Sequence, residues 1–429
     1  MIRKFIYNLG QKIRNPSLNA QYHFLKETEN WSLEKLEEYQ LNKLKELLKI
    51  AYNHSEYYRN KFDELKLDIN KVNSFEDFKS FPIISKKELI KFAPKLHTNL
   101  TFKKKFIATT SGTSGESLNF YREEHADSFN RAAIQRGYSW YNINPWDRNG
   151  YFWGFNFSFI NKQKNIILDF LQNRFRMFSY EEKSLKKFIK KSQKAIFIHG
   201  YSSMIYQTAV LINKLDLPKP KNIKMVKGTS EKIFDSYKPE IKEAFGIDVI
   251  SEYGATESGI IAYECKNGSM HINMEGVFVE EIDNEIVITN LQMHSFPIIR
   301  YKLGDYITLA PKNKTCPCGK NHLIIEEVTG RIGENIYGRD NTYPSLYFYY
   351  IFKNLSKNEK VHLNYQVIQN QKGSLIFNID KKINPSEERK LISEIEKYFK
   401  KDINFEIQQQ VEFTSSKGKL KNFISNINE

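Results

Sequence analysis

Several short segments combine hydroxyls, glycine and charge in a way that suits phosphate chemistry. Thr109-Thr110-Ser111-Gly112-Thr113-Ser114-Gly115-Glu116-Ser117 sets hydroxyl side chains around two glycines. Such a loop can offer backbone N–H groups and hydroxyls to phosphate oxygens, and glycine lets the chain approach closely. It is no Walker loop, because Gly-Lys-Ser/Thr is missing, and no nucleophile elbow, because Gly-x-Ser-x-Gly is missing. Taken alone it reads equally as a surface turn. Ser251-Glu252-Tyr253-Gly254-Ala255-Thr256-Glu257-Ser258-Gly259 gathers an aromatic face, a hydroxyl and a carboxylate within five residues. Tyr253 can stack on a base, Thr256 can bond a phosphate and Glu257 can hold Mg²⁺. Ile299-Arg300-Tyr301-Lys302-Leu303-Gly304-Asp305 ends in a carboxylate suited to both hydroxyls of a ribose, and Thr414 to Leu420 places Lys417 and Lys419 on a turn with Gly418.

The three cysteines all fall between Cys265 and Cys318. His271 follows Cys265 closely, and Cys316-Pro317-Cys318-Gly319 forms a tight thiolate turn, so Cys265, His271, Cys316 and Cys318 make a Cys₃His zinc set. His322 competes for the fourth place. Four protein ligands leave no open coordination position, so such a zinc is structural, not catalytic. The alternative to a zinc set is buried, unligated thiols with a lone core histidine.

These residues must be positioned by a folded chain of 429 residues, long enough for two to three domain equivalents. Short apolar runs alternate with helical patterns through its middle. Strands are expected at Lys105–Thr109, Tyr151–Phe159, Ala195–His199, Ile223–Val226 and Val249–Ser251, and the alternation argues for an α/β fold with substantially parallel sheet. Glu275 to Asn290 reads as a hairpin turned at Asp283-Asn284. Further strands at Leu363–Gln369 and Ser374–Ile379, with a helix from Pro385 to Lys400, describe a small C-terminal α+β domain. Ser32 caps a helix reaching about Asn53. Met1 to Arg14 spaces Ile2, Phe5, Ile6, Leu9 and Ile13 as a basic amphipathic helix, which either docks on its own domain or touches a membrane surface.

The net charge of +15 comes from 52 lysines against 13 arginines, with no nucleic-acid motif beside it, and no nucleic-acid partner is expected. Neither a spanning segment nor a secretion signal is apparent, and so few cysteines suit a reducing compartment, so a cytoplasmic protein is expected.

In this order, the four chemistry-bearing segments resemble the core motifs of the adenylate-forming acid ligase superfamily. Within it the likeness is to the phenylacetate–CoA ligase branch and its CapK-like members associated with capsular polysaccharide synthesis. It extends to Trp31, Ala51-Tyr52, Tyr57-Tyr58-Arg59 and Phe81-Pro82-Ile83-Ile84-Ser85-Lys86. The resemblance implies a large domain over residues 1–330, with the zinc-binding insertion around 265–322, and a small mobile domain over 331–429. It implies that Ser111, Gly112, Thr113, Ser114 and Gly115 hold the β and γ phosphates of ATP. Ser230 and Glu231, in Gly228-Thr229-Ser230-Glu231, would border the adenine pocket. Tyr253, Gly254, Thr256 and Glu257 would meet adenine, phosphate and metal, and Asp305 the ribose. Arg331 would mark the hinge, and Lys419 would enter the site during adenylation. The acyl pocket is expected between Tyr138–Phe155 and the strands near Phe197 and Tyr201.

The implied reaction activates a carboxylic acid as an acyl adenylate with ATP and Mg²⁺, then transfers the acyl group to coenzyme A or to an amine, in a surface-polysaccharide role. Two departures stand out. The hydroxyl-rich loop ends in Gly115-Glu116-Ser117 where many relatives have Gly-Lys-Pro, and Gly330-Arg331 is followed by Ile332-Gly333-Glu334-Asn335 where the branch usually has an aspartate pair. They keep alive a second reading, a catalytically silent relative that binds nucleotide or serves as a scaffold.

Overall fold

The computed structural model describes residues 2–110, 118–153, 159–177, 182–331, 335–416 and 419–427. Helices come first: α1 (Ile2–Arg14), α2 (Leu18–Thr28), α3 (Leu33–His54), α4 (Glu56–Glu64), α5 (Phe75–Phe78), α6 (Lys86–Lys91) and α7 (Ala93–Leu96). The Ser32 hydroxyl accepts the Lys35 N–H and starts α3 as expected. Ser74 and Ser85 each form reciprocal capping boxes, with Asp77 and Glu88, which lets α5 and α6 persist at a length where isolated helices would not.

Next comes a hairpin of β1 (Lys105–Thr109) and β2 (Asn119–Glu123). The strand expected at Lys105–Thr109 is present, but it pairs only with β2 and stands outside the large sheet. The chain continues through α8 (Glu124–Trp140), β3 (Asn149–Phe152), α9 (Phe159–Leu171), β4 (Arg174–Arg176), α10 (Glu182–Ser192), β5 (Phe197–Tyr201), α11 (Ser202–Lys214), β6 (Met225–Thr229), α12 (Tyr237–Phe245) and β7 (Val249–Ala255). Phe159, expected to end a strand, opens α9 instead. The apolar residues that follow it, from Ile160 to Ile166, Ile167, Phe170 and Leu171, fall at helical spacing.

The antiparallel half follows: β8 (Gly259–Glu264), β9 (Met270–Ile272), β10 (Val277–Ile282), β11 (Glu285–Asn290), β12 (Tyr301–Leu309) and β13 (Ile324–Arg331). Among the described residues these join in one eleven-stranded sheet, ordered β10-β11-β12-β13-β9-β8-β7-β6-β5-β3-β4. Strands β3 to β7 are parallel, and every pairing from β7–β8 outward is antiparallel. The Asp283-Asn284 turn holds both residues at positive φ, +54° and +63°, as a two-residue hairpin loop matched to strand twist requires.

Both faces of the parallel half are covered, so its strands read as apolar runs. Ile198, Val226 and Val249 pack on the face lined by α10, α11 and α12, while their neighbours Phe197, Met225 and Ile250 pack with Tyr138 of α8 on the other. The antiparallel half buries Ile261, Ile272, Val277, Ile288 and Tyr301 against Leu44, Leu48, Tyr58 and Phe78 from the first helices.

Beyond the large sheet lie β14 (Asn335–Tyr337), β15 (Thr342–Pro344), α13 (Leu346–Glu359), β16 (Tyr365–Gln371), β17 (Ser374–Ile379), α14 (Pro385–Phe399), β18 (Asn404–Gln409), β19 (Ser415–Ser416), β20 (Lys419–Leu420) and β21 (Phe423–Ser425). The order β18-β17-β16-β21 forms a four-stranded sheet with its own core, in which Phe348, Ile351, Val367, Phe377, Leu391 and Ile395 are fully or almost fully buried. It touches the larger part through Asn364, which donates to the Tyr206 hydroxyl at 2.9 Å and pairs with Ser236. Among the described residues no helix is long and apolar enough to cross a membrane.

Candidate functional site

The segment from Ser251 to Gly259 begins inside β7, turns at Thr256–Ser258 and returns as β8. Gly259 takes φ +74°, which favours glycine at this reversal. The Tyr253 hydroxyl donates to Asp305 Oδ2 at 2.7 Å. Asp305 lies on β12, four positions from β7 in the sheet order. In a flat sheet four spacings of about 4.8 Å would hold those strands about 19 Å apart. The hydrogen bond therefore requires the sheet to curl between its two halves, as accumulated strand twist allows.

The curl gathers other expected residues. Asp305 pairs with Arg331 across β12 and β13, so the backbone of the expected hinge residue lies beside the expected ribose carboxylate. Glu257 is 6% exposed, and the Tyr301 hydroxyl reaches its Oε1 at 3.4 Å. The Thr256 carbonyl accepts from the Arg122 guanidinium on β2, which ties the β1–β2 hairpin to this turn. Thr229 is opposite Glu252, so Ser230 sits one rung beyond, level with Tyr253, in the left-handed region at φ +66°. Glu231 faces another way: its carboxylate accepts from the Ser203 N–H at 2.9 Å and the Ser203 hydroxyl at 2.7 Å, anchoring the loop after β6 to the start of α11. Burial, reinforced by Glu231, pushes the Tyr201 hydroxyl up to about 12.

Ser111, Gly112, Thr113, Ser114 and Gly115 lie outside the described residues, as do Lys417 and Gly418. For Lys419 the backbone is described: it pairs with Ser416 in the β19–β20 turn.

Where the acyl pocket is expected, Tyr138 and Phe197 serve the core, with ring centroids 5.1 Å apart. Trp153 stacks on Tyr201 at 4.3 Å and is 37% exposed. A buried polar group beside them escaped the sequence reading. Lys227 of β6 pairs with Glu252 of β7, both almost fully buried, with the ammonium 5.1 Å from the Tyr138 ring centroid. His199 meets Asn149 at 3.2 Å, and burial, followed by the charges of Lys227, Arg174 and Arg176, holds its imidazole well below its ordinary range. The signal was present: a lone lysine and a lone glutamate stand inside the apolar runs MVKGT and VISEY of neighbouring strands. Buried charges of this kind persist only when paired.

A second cluster forms at β8, β9 and the segment before β13. The ligand atoms of Cys265, His271, Cys316 and Cys318 all lie within 4.8 Å of one another. Cys265 Sγ is 3.7 Å from Cys316 Sγ, and His271 Nε2 is 3.1 Å from Cys318 Sγ. Two sulfurs on a tetrahedral zinc would stand about 3.8 Å apart, so the donor set fits such an ion. Burial pushes the Cys265 thiol up to about 12 and the His271 imidazole down to about 4. A dication is the partner that draws a thiolate out of such surroundings and finds the imidazole already neutral.

His322 does not take the fourth place. Its Nε2 meets Glu275 at 2.9 Å, while its main-chain carbonyl lies 3.2 Å from His271 Nδ1 and leaves Nε2 to face the sulfurs. Glu275 is fully buried and also receives Arg136 at 2.7 Å and the Thr28 hydroxyl. Burial opposes its charge, yet Arg136 and His322 hold its carboxyl well below the usual carboxylate range.

No family model matches the chain. It is similar to Protein CapK of Staphylococcus aureus, 23% identical over 320 residues that cover 71% of this chain and 69% of that one. A 98-residue stretch is 35% identical to indoleacetate–lysine synthetase of Pseudomonas savastanoi, covering 21% of this chain and 24% of that one. Among solved structures, 2-hydroxyisobutyryl-CoA ligase in the postadenylation state with R3-HIB-AMP superposes with a TM-score of 0.71 at 15% identity, over 93% of this chain and 91% of that one. The chain has the fold of this adenylate-forming ligase. An open conformation of the same ligase, with 2-HIB-AMP and CoA, matches at 0.60 and 16% identity over 92% and 93% of the two chains. The adenylate-forming fold thus accounts for the large sheet and the smaller C-terminal one together.

Removing one partner of a buried pair strands the other charge, so Glu275→Ala is expected to lower unfolding free energy by about 3–5 kcal/mol. Arg136→Met combined with Glu275→Leu should recover most of that loss in urea titrations. Because the native state holds the Glu275 carboxyl below its unfolded value, its contribution is complete above the unfolded pKa and drains away as pH falls below it. Equal stability of Glu275→Ala and wild type would show that the cluster carries no load.

Proposed function

We propose that the chain activates a carboxylic acid by joining it to the α-phosphate of ATP, with release of pyrophosphate, and then passes the acyl group to coenzyme A or to an amine with release of AMP. The observation that carries this reading is the meeting of Tyr253 and Asp305 across the curl of the sheet, with the Arg331 backbone beside them. It brings residues from three separate motifs to one place at the carboxyl end of β7, where α/β sheets commonly bind ligands. CoA as acceptor follows the solved CoA ligase, and an amine acceptor follows the lysine synthetase. The resemblance to CapK-like chains extends the proposal to surface-polysaccharide synthesis.

In this reading Asp305 accepts the ribose hydroxyls while Tyr253 fixes the carboxylate and lends its ring to adenine. Ser230, level with Tyr253, borders the adenine, and Glu231 acts by holding the loop that carries Ser230. Ser111 to Gly115 grip the β and γ phosphates, and Gly254 and Thr256 meet the α-phosphate. Glu257 holds Mg²⁺, which offsets phosphate charge. The substrate carboxylate is itself the nucleophile, so no protein nucleophile is needed. Lys419 supplies charge only as the small domain closes over residue 331, in keeping with a lysine on a turn of a separately cored unit.

Asp305 and Lys419 should separate cleanly in experiment. Charged hydrogen bonds contribute about 1.5–3 kcal/mol each, so Asp305→Ala should weaken ATP binding in calorimetry by about tenfold or more. Lys419→Ala should leave that affinity near wild type yet slow acid-dependent pyrophosphate exchange by about 100-fold or more. Unchanged affinity in Asp305→Ala would place the ribose elsewhere, and full activity in both Lys417→Ala and Lys419→Ala would reject a C-terminal lysine mechanism.

We further propose that Cys265, His271, Cys316 and Cys318 hold one structural Zn²⁺, supported by their mutual distances. The ion would pin β8 and β9 to the segment before β13, and through β13 the neighbouring strand that carries Asp305. Chelation should therefore lower thermal stability and weaken ATP binding together, since ligation contributes folding free energy directly. Elemental analysis finding less than about a tenth of an equivalent of metal, with all three thiols freely titratable in the native protein, would sink this assignment.

A further inference from the structure

We propose that α1 and the adjoining α9 form a docking face for an anionic lipid bilayer, which the chain touches without crossing. The proposal is independent of the catalytic reading. A terminal helix that merely docks on its own domain turns its apolar stripe inward. In α1 the stripe points outward: Ile2, Phe5, Leu9 and Ile13 are 71%, 68%, 49% and 69% exposed, and no residue of the helix is fully buried. At 3.6 residues per turn these four fall within about 80° of one another.

The contacts of α1 with the rest of the molecule are made mainly by polar and aromatic side chains. Gln135 donates to the Tyr7 hydroxyl at 2.8 Å, and the Tyr7 ring lies 5.8 Å from that of Trp146. This fixes the helix with its greasy side to solvent.

The apolar face does not end at α1. Arg3 donates to the Phe170 carbonyl at 2.7 Å and covers the Phe170 ring, which joins the start of α1 to the end of α9. There Ile167 and Phe170, three residues apart on one helix face, are also mostly exposed. At the other end, Lys104 donates to the Ile13 carbonyl and Arg14 covers the Phe106 ring. Most of the exposed large hydrophobic residues among those described lie on α1 and α9.

Charge selects the occupant. Arg3, Lys4, Lys12 and Arg14 flank the stripe of α1, and that helix contains no acidic residue. Asp169, the acidic residue of α9, is buried and bound by Arg174 and Arg176. A second copy of this chain would bring one basic rim against another. An anionic bilayer accepts the apolar residues between its acyl chains and the basic rim among its headgroups, which is how amphipathic basic helices bind membranes.

The test is co-sedimentation with vesicles of phosphatidylcholine containing about 30% phosphatidylglycerol, beside vesicles of phosphatidylcholine alone. Binding to the anionic vesicles should exceed binding to the neutral ones by about tenfold, fall with added salt and resist competition by glycerol phosphate. Phe5→Glu with Leu9→Glu, and separately Ile167→Glu, should each reduce it by about tenfold while the thermal unfolding curve stays unchanged, because all three positions are exposed. Failure of the wild type to bind anionic vesicles, or full binding by these variants, would overturn the proposal. So would a wild-type dimer in sedimentation equilibrium that Phe5→Glu with Leu9→Glu dissolves in the absence of any vesicle binding.

Discussion

A single buried carboxylate, Glu275, joins the layers of this molecule. Transferring a charge out of water costs several kcal/mol, and the cost is met only where opposite charge and hydrogen bonds surround it. Here they come from three directions: Thr28 at the end of α2, Arg136 near the end of α8, and His322 just before β13. Arg136 also reaches Asn273 at 2.7 Å, and Gln292 donates to the Glu275 carbonyl at 2.7 Å. Since His322 also faces His271 Nδ1 through its own carbonyl, the network runs without interruption from the first helices to the cysteine cluster. Small displacements in such a packed polar network are costly, so it fixes the junction between β9, β10 and β13.

That junction decides where the residues of the proposed site meet. The parallel half delivers Ser230 and Tyr253 at the carboxyl ends of β6 and β7. The antiparallel half delivers Asp305 and Arg331 from the middle of β12 and the end of β13. Only the curl between the halves closes the gap, and the short strand β9, three residues long, lies within it. Cys265 and the Cys316–Cys318 turn flank that strand in the chain and His271 lies on it, so a metal held there would act on the geometry of the proposed nucleotide site at a distance.

Local features were legible in the sequence because their causes are local. Ser32 beside a helical stripe, Pro385 at the first turn of α14, the Asp283-Asn284 reversal and the clustering of three cysteines each carry their own physical signal. The curl of the sheet and the isolation of β1 and β2 arise from pairings between distant residues and leave no local trace. His322 was ambiguous from spacing alone. Its preference for Glu275 depends on Arg136, 186 residues earlier in the sequence, having turned that carboxylate into a buried anion. The Lys227–Glu252 pair lay between: each charge was visible inside an apolar run, but their adjacency followed only from β6 lying beside β7.

The central claim is that a carboxylate oxygen attacks the α-phosphate of ATP in this site. Carboxylic acids labelled with ¹⁸O in the carboxyl group, drawn from aryl, fatty, amino and sugar acids, test it directly when the products are weighed by mass spectrometry after a full turnover with coenzyme A or an amine. The account predicts that the acid that turns over leaves one ¹⁸O atom in AMP and none in inorganic phosphate. Label in inorganic phosphate together with formation of ADP would contradict it, as would AMP that carries no label.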